Sequence, residues 1–249
     1  MNEKLFKFIS KESLRKYVKT ELKNYKEAYS SITLEDFKKT PTDPFKFLFD
    51  SYLLENKQDE LITDEILRRH GKKTESKIGY FHQYIFEYTN YKKWNVPKKG
   101  WDLVNEEEHI YVEIKNKFNT MNSSSQLSTF EKMEKKIKDD SKATCYLLQI
   151  MAKGSKNDIW KISNKECHEN IRLISIDKFL ELITRESKMF YYLCQGIKEI
   201  VSEETFISTN NMKTSIDLSE QIKSQANEEK KPLIDIIFEY AFEDYEGFK

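Results

Sequence analysis

Apolar side chains fall three and four residues apart through the first 65 positions. Leu5, Phe6 and Ile9 begin the pattern, and Leu14, Tyr17, Val18, Leu22 and Tyr25 continue it; this spacing predicts helices with one inward stripe. Pro41 and Pro44 interrupt the run. Asp43 is placed to cap a helix that starts at Pro44, a residue tolerated at the first helical position, and that helix carries Phe45, Leu48, Phe49 and Tyr52. Gly71 is expected to end the following helix. Another, over Ser76 to Tyr88, turns Ile78, Phe81, Ile85 and Phe86 inward before the turn at Pro97 and Gly100.

From Trp101 the period changes from helix to strand. Asp102–Leu103–Val104 and Ile110–Tyr111–Val112–Glu113–Ile114–Lys115 flank the acidic turn Asn105–Glu106–Glu107–Glu108, which predicts a hairpin. Asn116 to Ser125 is polar and is expected to be a loop. Gln126 to Lys138 aligns Leu127, Phe130, Met133 and Ile137 as a helix, and Ala143 to Met151 is a fully apolar strand. Strand, helix and strand in this order predict a right-handed crossover. Ile171–Ile176 is a further strand, with Asp177 as cap of a helix over Lys178–Thr184, and Phe190 to Val201 is a buried helix. Residues 202–231, rich in Ser, Asn, Lys and Glu, are expected to be loop or a partly mobile insertion before a last helix at Leu233–Tyr240. The class is therefore α/β, a mixed central sheet flanked by helices with extra N- and C-terminal helices. One domain over 1–249 is expected, with a helical layer at 1–70, a central core at 71–185 and a helical, polar part at 186–249.

Composition narrows what such a domain can do. The chain has 249 residues, 34% charged and 38% hydrophobic, with a mean hydropathy of −0.74, and no apolar run approaches the roughly 20 residues of a membrane-spanning helix. No membrane association is expected. The first residues lack a signal peptide's apolar run and Cys145, Cys167 and Cys194 form no disulfide framework, so a reducing cytoplasm is the expected compartment. Formal net charge is zero, which argues against a non-specific nucleic-acid coat. Its distribution is uneven. Arg68 to Lys142 holds 16 basic against 11 acidic residues, whereas Glu199 to Lys249 holds 5 against 12, so the middle can face an anion and the tail is unsuited to one.

The hairpin carries the chemistry. Residues two apart on a strand share a face, which sets the Glu113 carboxylate beside the Lys115 ammonium while Val112 and Ile114 face the other way. Antiparallel pairing brings Asp102 to the same spot. Two converging carboxylates make a hard oxygen site suited to Mg²⁺, with Asp102 and Glu113 as ligands. Lys115 can then orient or help deprotonate an attacking water, or stabilise a phosphate as charge builds on it.

Asp102, ten intervening residues, then Glu113-x-Lys115 is the arrangement of the PD-(D/E)XK nucleases. The runs Ile78–Gly79–Tyr80–Phe81–His82–Gln83, Gly100–Trp101–Asp102–Leu103 and Val112 to Ser123 resemble, more closely, type II restriction endonucleases that cut GGNCC or GGWCC. The resemblance covers roughly residues 70 to 160. It implies a PD-(D/E)XK nuclease core and a homodimeric, Mg²⁺-dependent enzyme that hydrolyses double-stranded DNA at a short palindrome, within a restriction–modification system whose methyltransferase protects the same site. Asp102 and Glu113 inherit the metal-ligand role and Lys115 that of the catalytic lysine. Trp101 stands where the superfamily's name has proline, a residue without chemistry. Gln83 stands on the preceding helix where related nucleases tend to place a glutamate; its amide oxygen can coordinate or hold a water but adds no charge, and Glu75 and Glu87 are the other acids nearby.

Asn, Ser and Thr both donate and accept hydrogen bonds and Lys neutralises phosphate, so Asn116, Lys117, Asn119, Thr120, Asn122, Ser123 and Ser124 are expected to touch DNA, as are Lys153 and Lys156 after the apolar strand. An ordinary solvated connection is the plainer reading of both segments. Lys72, Lys73, Lys77, Lys92, Lys93, Lys98 and Lys99 are either a duplex-facing cluster or a solubilising face. His82 is more simply a structural histidine, and Cys167–His168 lacks partners at zinc spacing. A structure-specific repair or junction nuclease with the same core, and a non-catalytic DNA-binding protein, are the competing classes.

Overall fold

The computed structural model describes residues 2–30, 32–53, 58–91, 93–204 and 211–242. In chain order its elements are α1 (Glu3–Phe8), α2 (Lys11–Ser30), α3 (Leu34–Lys39), α4 (Pro44–Leu53), α5 (Gln58–Tyr84), β1 (Leu103–Asn105), β2 (Ile110–Lys117), α6 (Ser123–Asp139), β3 (Thr144–Met151), β4 (Asn157–Ile159), β5 (Ile171–Ser175), α7 (Ile176–Thr184), α8 (Met189–Glu203), α9 (Asn211–Glu228) and α10 (Leu233–Phe242). They fall into two compact units, Met1–Glu21 with Ile78–Glu204, and Leu22–Lys77 with Thr205–Lys249. No described helix is long and apolar enough to cross a membrane.

The first unit is built on a mixed five-stranded sheet in the order β1-β2-β3-β5-β4. β1 pairs antiparallel with β2, as the acidic turn requires, and β2 pairs parallel with β3 through the α6 crossover. β3 and β5 are parallel, and the short β4 closes the far edge antiparallel to β5. Alternation along each strand feeds two apolar layers. Leu103, Val112, Ile114, Tyr146, Leu148 and Ile174 point to one side, where they meet side chains of α1, α7 and α8 together with Phe86 and Trp94. Val104, Tyr111, Cys145, Leu147 and Ile171 point to the other, under Phe130 and Met133 of α6.

The second unit is helical. Phe37, Phe47, Ile62, Ile66, Ile222 and Ile236 form its centre. Arg69 ties α5 to this layer: its guanidinium lies 3.8 Å from the Phe37 ring centroid and donates to Glu65 at 2.8 Å, to the Phe37 carbonyl at 2.9 Å and to Thr42 Oγ1 at 2.7 Å.

Local readings of the sequence need correcting at four places. Gly71 does not end a helix; α5 runs through it from Gln58 to Tyr84 and a 3-10 turn follows at Ile85–Tyr88. An interior glycine weakens a helix by about 1 kcal/mol, which packing of its neighbours outweighs. Ser175, not Asp177, is the N-cap of α7, because Ile176 leaves the strand one residue early; Asp177 instead accepts from Ser175 Oγ at 2.5 Å. The polar loop expected over Asn116–Ser125 is confined to 118–122, since β2 extends to Lys117 and α6 begins at Ser123 with Asn122 accepting from the Ser125 N–H at 2.8 Å. Within 202–231, Asn211–Glu228 is helix α9 rather than loop, with Leu218, Ile222 and Ala226 buried four residues apart.

Candidate active site

Strand pairing assembles the charged corner. Leu103 is opposite Val112 in the ladder, and one step outward Asp102 donates its N–H to the Val112 carbonyl at 3.1 Å. The Asp102 carboxylate turns onto β2 and accepts the Ile114 N–H at 2.7 Å, so both its backbone and its side chain are fixed to the strand that carries Glu113. Glu113 is 8% exposed, and Lys115 Nζ lies 3.9 Å from its Oε2. Val112 and Ile114 are buried in the opposite layer. The alternation predicted from the sequence thus brings Asp102, Glu113 and Lys115 together.

A fourth charged group completes the corner, and sequence reasoning missed it. Lys132, on the face of α6 that covers the sheet, donates to Glu113 Oε1 and to the Gly100 carbonyl at 2.6 Å, with its ammonium 4.2 Å from the Trp101 ring centroid. One cation therefore holds Glu113 and the segment leading into Asp102. Nothing in the spacing of Lys132, Lys135, Lys136 and Lys138 distinguishes the first from the rest; the only signal is that it adjoins the buried Met133.

Burial pushes the Glu113 carboxyl above its ordinary range, the bond from Lys132 draws it back, and the like charge of Asp102 pushes it up again. A buried carboxylate crowded by a second one forms a site that a further cation relieves. The donors are hard oxygens, and the ammonium of Lys132 already occupies one Glu113 oxygen as a positive charge does. Among the described residues no three His, Cys, Asp or Glu side chains converge. Two carboxylates suit a divalent ion that keeps several of its waters, as Mg²⁺ does.

Gln83 is half-buried near the end of α5, and among the described residues no hydrogen bond or ion pair joins it to Asp102, Glu113 or Lys115. Beside it, burial pushes the His82 imidazole down to about 4. Lys117, Asn119, Thr120, Asn122, Ser123, Ser124 and Lys153 are exposed and Lys156 is half-buried. Asn116 is half-buried too, its Oδ1 fully enclosed and without a partner. Of the lysine cluster, Lys93 pairs with Glu107 at 2.8 Å, and Lys92 lies outside the described residues.

The family model described as Eco47II restriction endonuclease matches residues 6–206. The type II restriction enzyme Sau96I of Staphylococcus aureus is 26% identical over 250 residues, covering 94% of each chain. The type II restriction enzyme Eco47II of Escherichia coli is 27% identical over 194 residues, covering 72% of this chain and 80% of its own.

Proposed function

The chain belongs to the Eco47II restriction endonuclease family, and from that premise we propose that its charged corner is the PD-(D/E)XK centre of a type II restriction endonuclease. It is a site-specific deoxyribonuclease that hydrolyses phosphodiester bonds in double-stranded DNA. Mg²⁺ is its cofactor, a palindrome of the GGNCC or GGWCC type its site, and a homodimer its working form, since a two-fold substrate calls for a two-fold enzyme. A methyltransferase protects the same sequence in the host. The observation that carries the reading is the convergence of Asp102 and Glu113, with Lys115 3.9 Å from the latter.

Asp102 and Glu113 would hold the ion, which when bound supplies Lewis acidity and neutralises charge on the scissile phosphate. Asp102 serves this role from a fixed position, because the Ile114 N–H restrains its Oδ2. Lys115, about one-third exposed, can reach outward to orient the attacking water or stabilise the pentavalent phosphorus as negative charge accumulates. Lys132 positions Glu113 and keeps its buried charge compensated. Asn119, Thr120, Asn122, Ser123, Ser124, Lys117, Lys153 and Lys156 flank the corner in sequence and supply exposed donors and cations for phosphates and base edges.

Digestion of a sequenced plasmid with Mg²⁺, followed by end mapping, tests the activity and fixes both site and cut. Discrete fragments are expected; nicking that depends on branched DNA would point instead to a repair nuclease. Asp102→Ala and Lys115→Ala should each abolish cleavage while Ca²⁺-supported binding to the same sequence persists. Near-wild-type cutting by either variant would overturn the assignment of the corner. Sedimentation of a monomer both free and on DNA would overturn the dimer.

A further inference from the structure

Beside Lys115, one strand further into the sheet, stands Gln149, its partner in the parallel β2–β3 ladder. Register partners in a parallel pair share a face, so Gln149 lies on the face that carries Glu113 and Lys115, about 5 Å away across the strand spacing. Gln149 is only 7% exposed, and its side-chain oxygen is enclosed without a hydrogen-bond partner. It lines a cleft of about 200 Å³ together with Phe118, Trp160, Gln126, Lys153 and Lys156. Phe118 is 44% exposed, and the Lys153 ammonium lies 4.9 Å from its ring centroid.

These features set three requirements on an occupant. It must bring an N–H to the Gln149 oxygen, because a buried carbonyl left unpaired is destabilising and native structures seldom keep one without a use. It must be flat enough to lie against the aromatic walls, as bases do on aromatic side chains. It must also carry negative charge where the lysines stand. A nucleobase with its own phosphate meets all three. The cleft is too small for a stacked base pair, so a base can enter only after leaving the duplex stack.

We propose that this cleft receives one base of the strand being cut, next to the scissile phosphate and turned out of the stack. The Gln149 amide turns its enclosed oxygen to accept from the base edge, and Lys153 and Lys156 hold the flanking phosphate. The proposal rests on the nuclease reading above and makes Gln149 a residue that discriminates among bases without touching the reacting atoms.

The test uses the full-length enzyme with Ca²⁺ and duplexes bearing the mapped site, with 2-aminopurine at one position at a time in and beside the cut. This base brightens when it, or its neighbour, leaves the stack. The wild type should brighten the probe severalfold at one position. Gln149→Leu should lose most of that signal and about tenfold in cleavage rate at saturating DNA, the loss expected for one hydrogen bond to a neutral group. Its melting temperature should be unchanged or higher, because the unpaired oxygen is gone. A merely structural role for Gln149 would instead lower melting and leave the emission intact. No brightening at any position of a duplex that the wild type cuts would overturn the proposal, as would equal brightening by Gln149→Leu. Binding of a free mononucleotide, read by quenching of Trp160, without brightening of the duplex would also overturn it, making the cleft a separate nucleotide site. Failure of the wild type to cut any duplex would instead sink the nuclease reading on which the proposal stands.

Discussion

Replacing Lys132 with methionine keeps an unbranched apolar stem over Trp101 but removes the ammonium from Glu113. A hydrogen bond to a charged group contributes about 1.5–3 kcal/mol, and breaking a fully buried pair costs about 3–5 kcal/mol. Here the carboxylate side chain is 11% exposed but the lysine is 34% exposed. Lys115 also remains 3.9 Å from the other oxygen. The lower range applies, and a loss of about 2 kcal/mol at pH 8 is expected. That loss should depend on pH. Burial already raises the Glu113 carboxyl, and without Lys132 it rises further, so the variant's native state holds a proton that the unfolded chain releases at about pH 4.3. Stability of the variant relative to wild type therefore falls as pH climbs from the ordinary carboxylate range toward the raised native value, and levels off above it. Urea denaturation at intervals from pH 4.5 to 8 measures this: the two proteins should nearly coincide at the acid end and separate by about 2 kcal/mol at the alkaline end. Saturating Mg²⁺, which at a hundred times its dissociation constant adds about 2.7 kcal/mol, should close the gap, since no ammonium then shares the Glu113 oxygen with the ion. A difference that is the same at every pH, or below about 0.5 kcal/mol at pH 8, the scale of an ordinary surface substitution, would refute the account of Lys132.

In the helical unit, Arg69→Ala should destabilise by about 2 kcal/mol, because a nearly enclosed carboxylate loses one of its two guanidinium partners and keeps only Arg68. Arg69→Lys should recover little, since one ammonium cannot serve Glu65, Thr42 and the Phe37 carbonyl together; thermal denaturation checks both. Burial would raise the Glu65 carboxyl, but bonds from Arg68 and Arg69 hold it below its usual value. Its contribution is accordingly complete above the unfolded pKa and disappears as pH falls through the lower native one, so Glu65→Gln should flatten the acid limb of a stability–pH curve. His82, pushed down to about 4 by burial, acts over a higher window. Its contribution is whole above about pH 6.5, where the unfolded imidazole is neutral, and declines toward pH 4 by up to about 1.4 kcal/mol per unit. Histidine NMR should show this ring still neutral at pH 5.5, and a protonated ring there would contradict the burial argument.

The hairpin was legible because two signals agreed: period-two alternation over Ile110 to Lys115, and an acidic turn that neither flanking strand could absorb. The same alternation sorted Glu113 and Lys115 from Val112 and Ile114, and the antiparallel turn predicted where Asp102 would land. Helix α9 was also within reach, since Leu218, Ile222 and Ala226 repeat every four residues; the surrounding Ser, Lys and Glu obscured a stripe only three residues long. Lys132 and Gln149 were not legible. One is a lysine among several on an amphipathic helix, and the other is a polar residue inside an apolar strand. What singles them out is which β2 residue each stands beside, Glu113 for Lys132 on α6 and Lys115 for Gln149 in the parallel ladder, a property of pairing that no local pattern encodes.

The apolar side of β2 also guards the polar side. Because strand side chains alternate, a slip of one residue against β1 or β3 would drive Glu113 and Lys115 into the hydrophobic layer and expel Val112 and Ile114 to the charged side. Val112, fully enclosed, and Ile114, 8% exposed, make that slip prohibitive. Aliphatic residues with no polar atom thereby act as the gauge that keeps the acids in step with the lysine, and harm to cutting can originate in a methyl group on the reverse of the sheet.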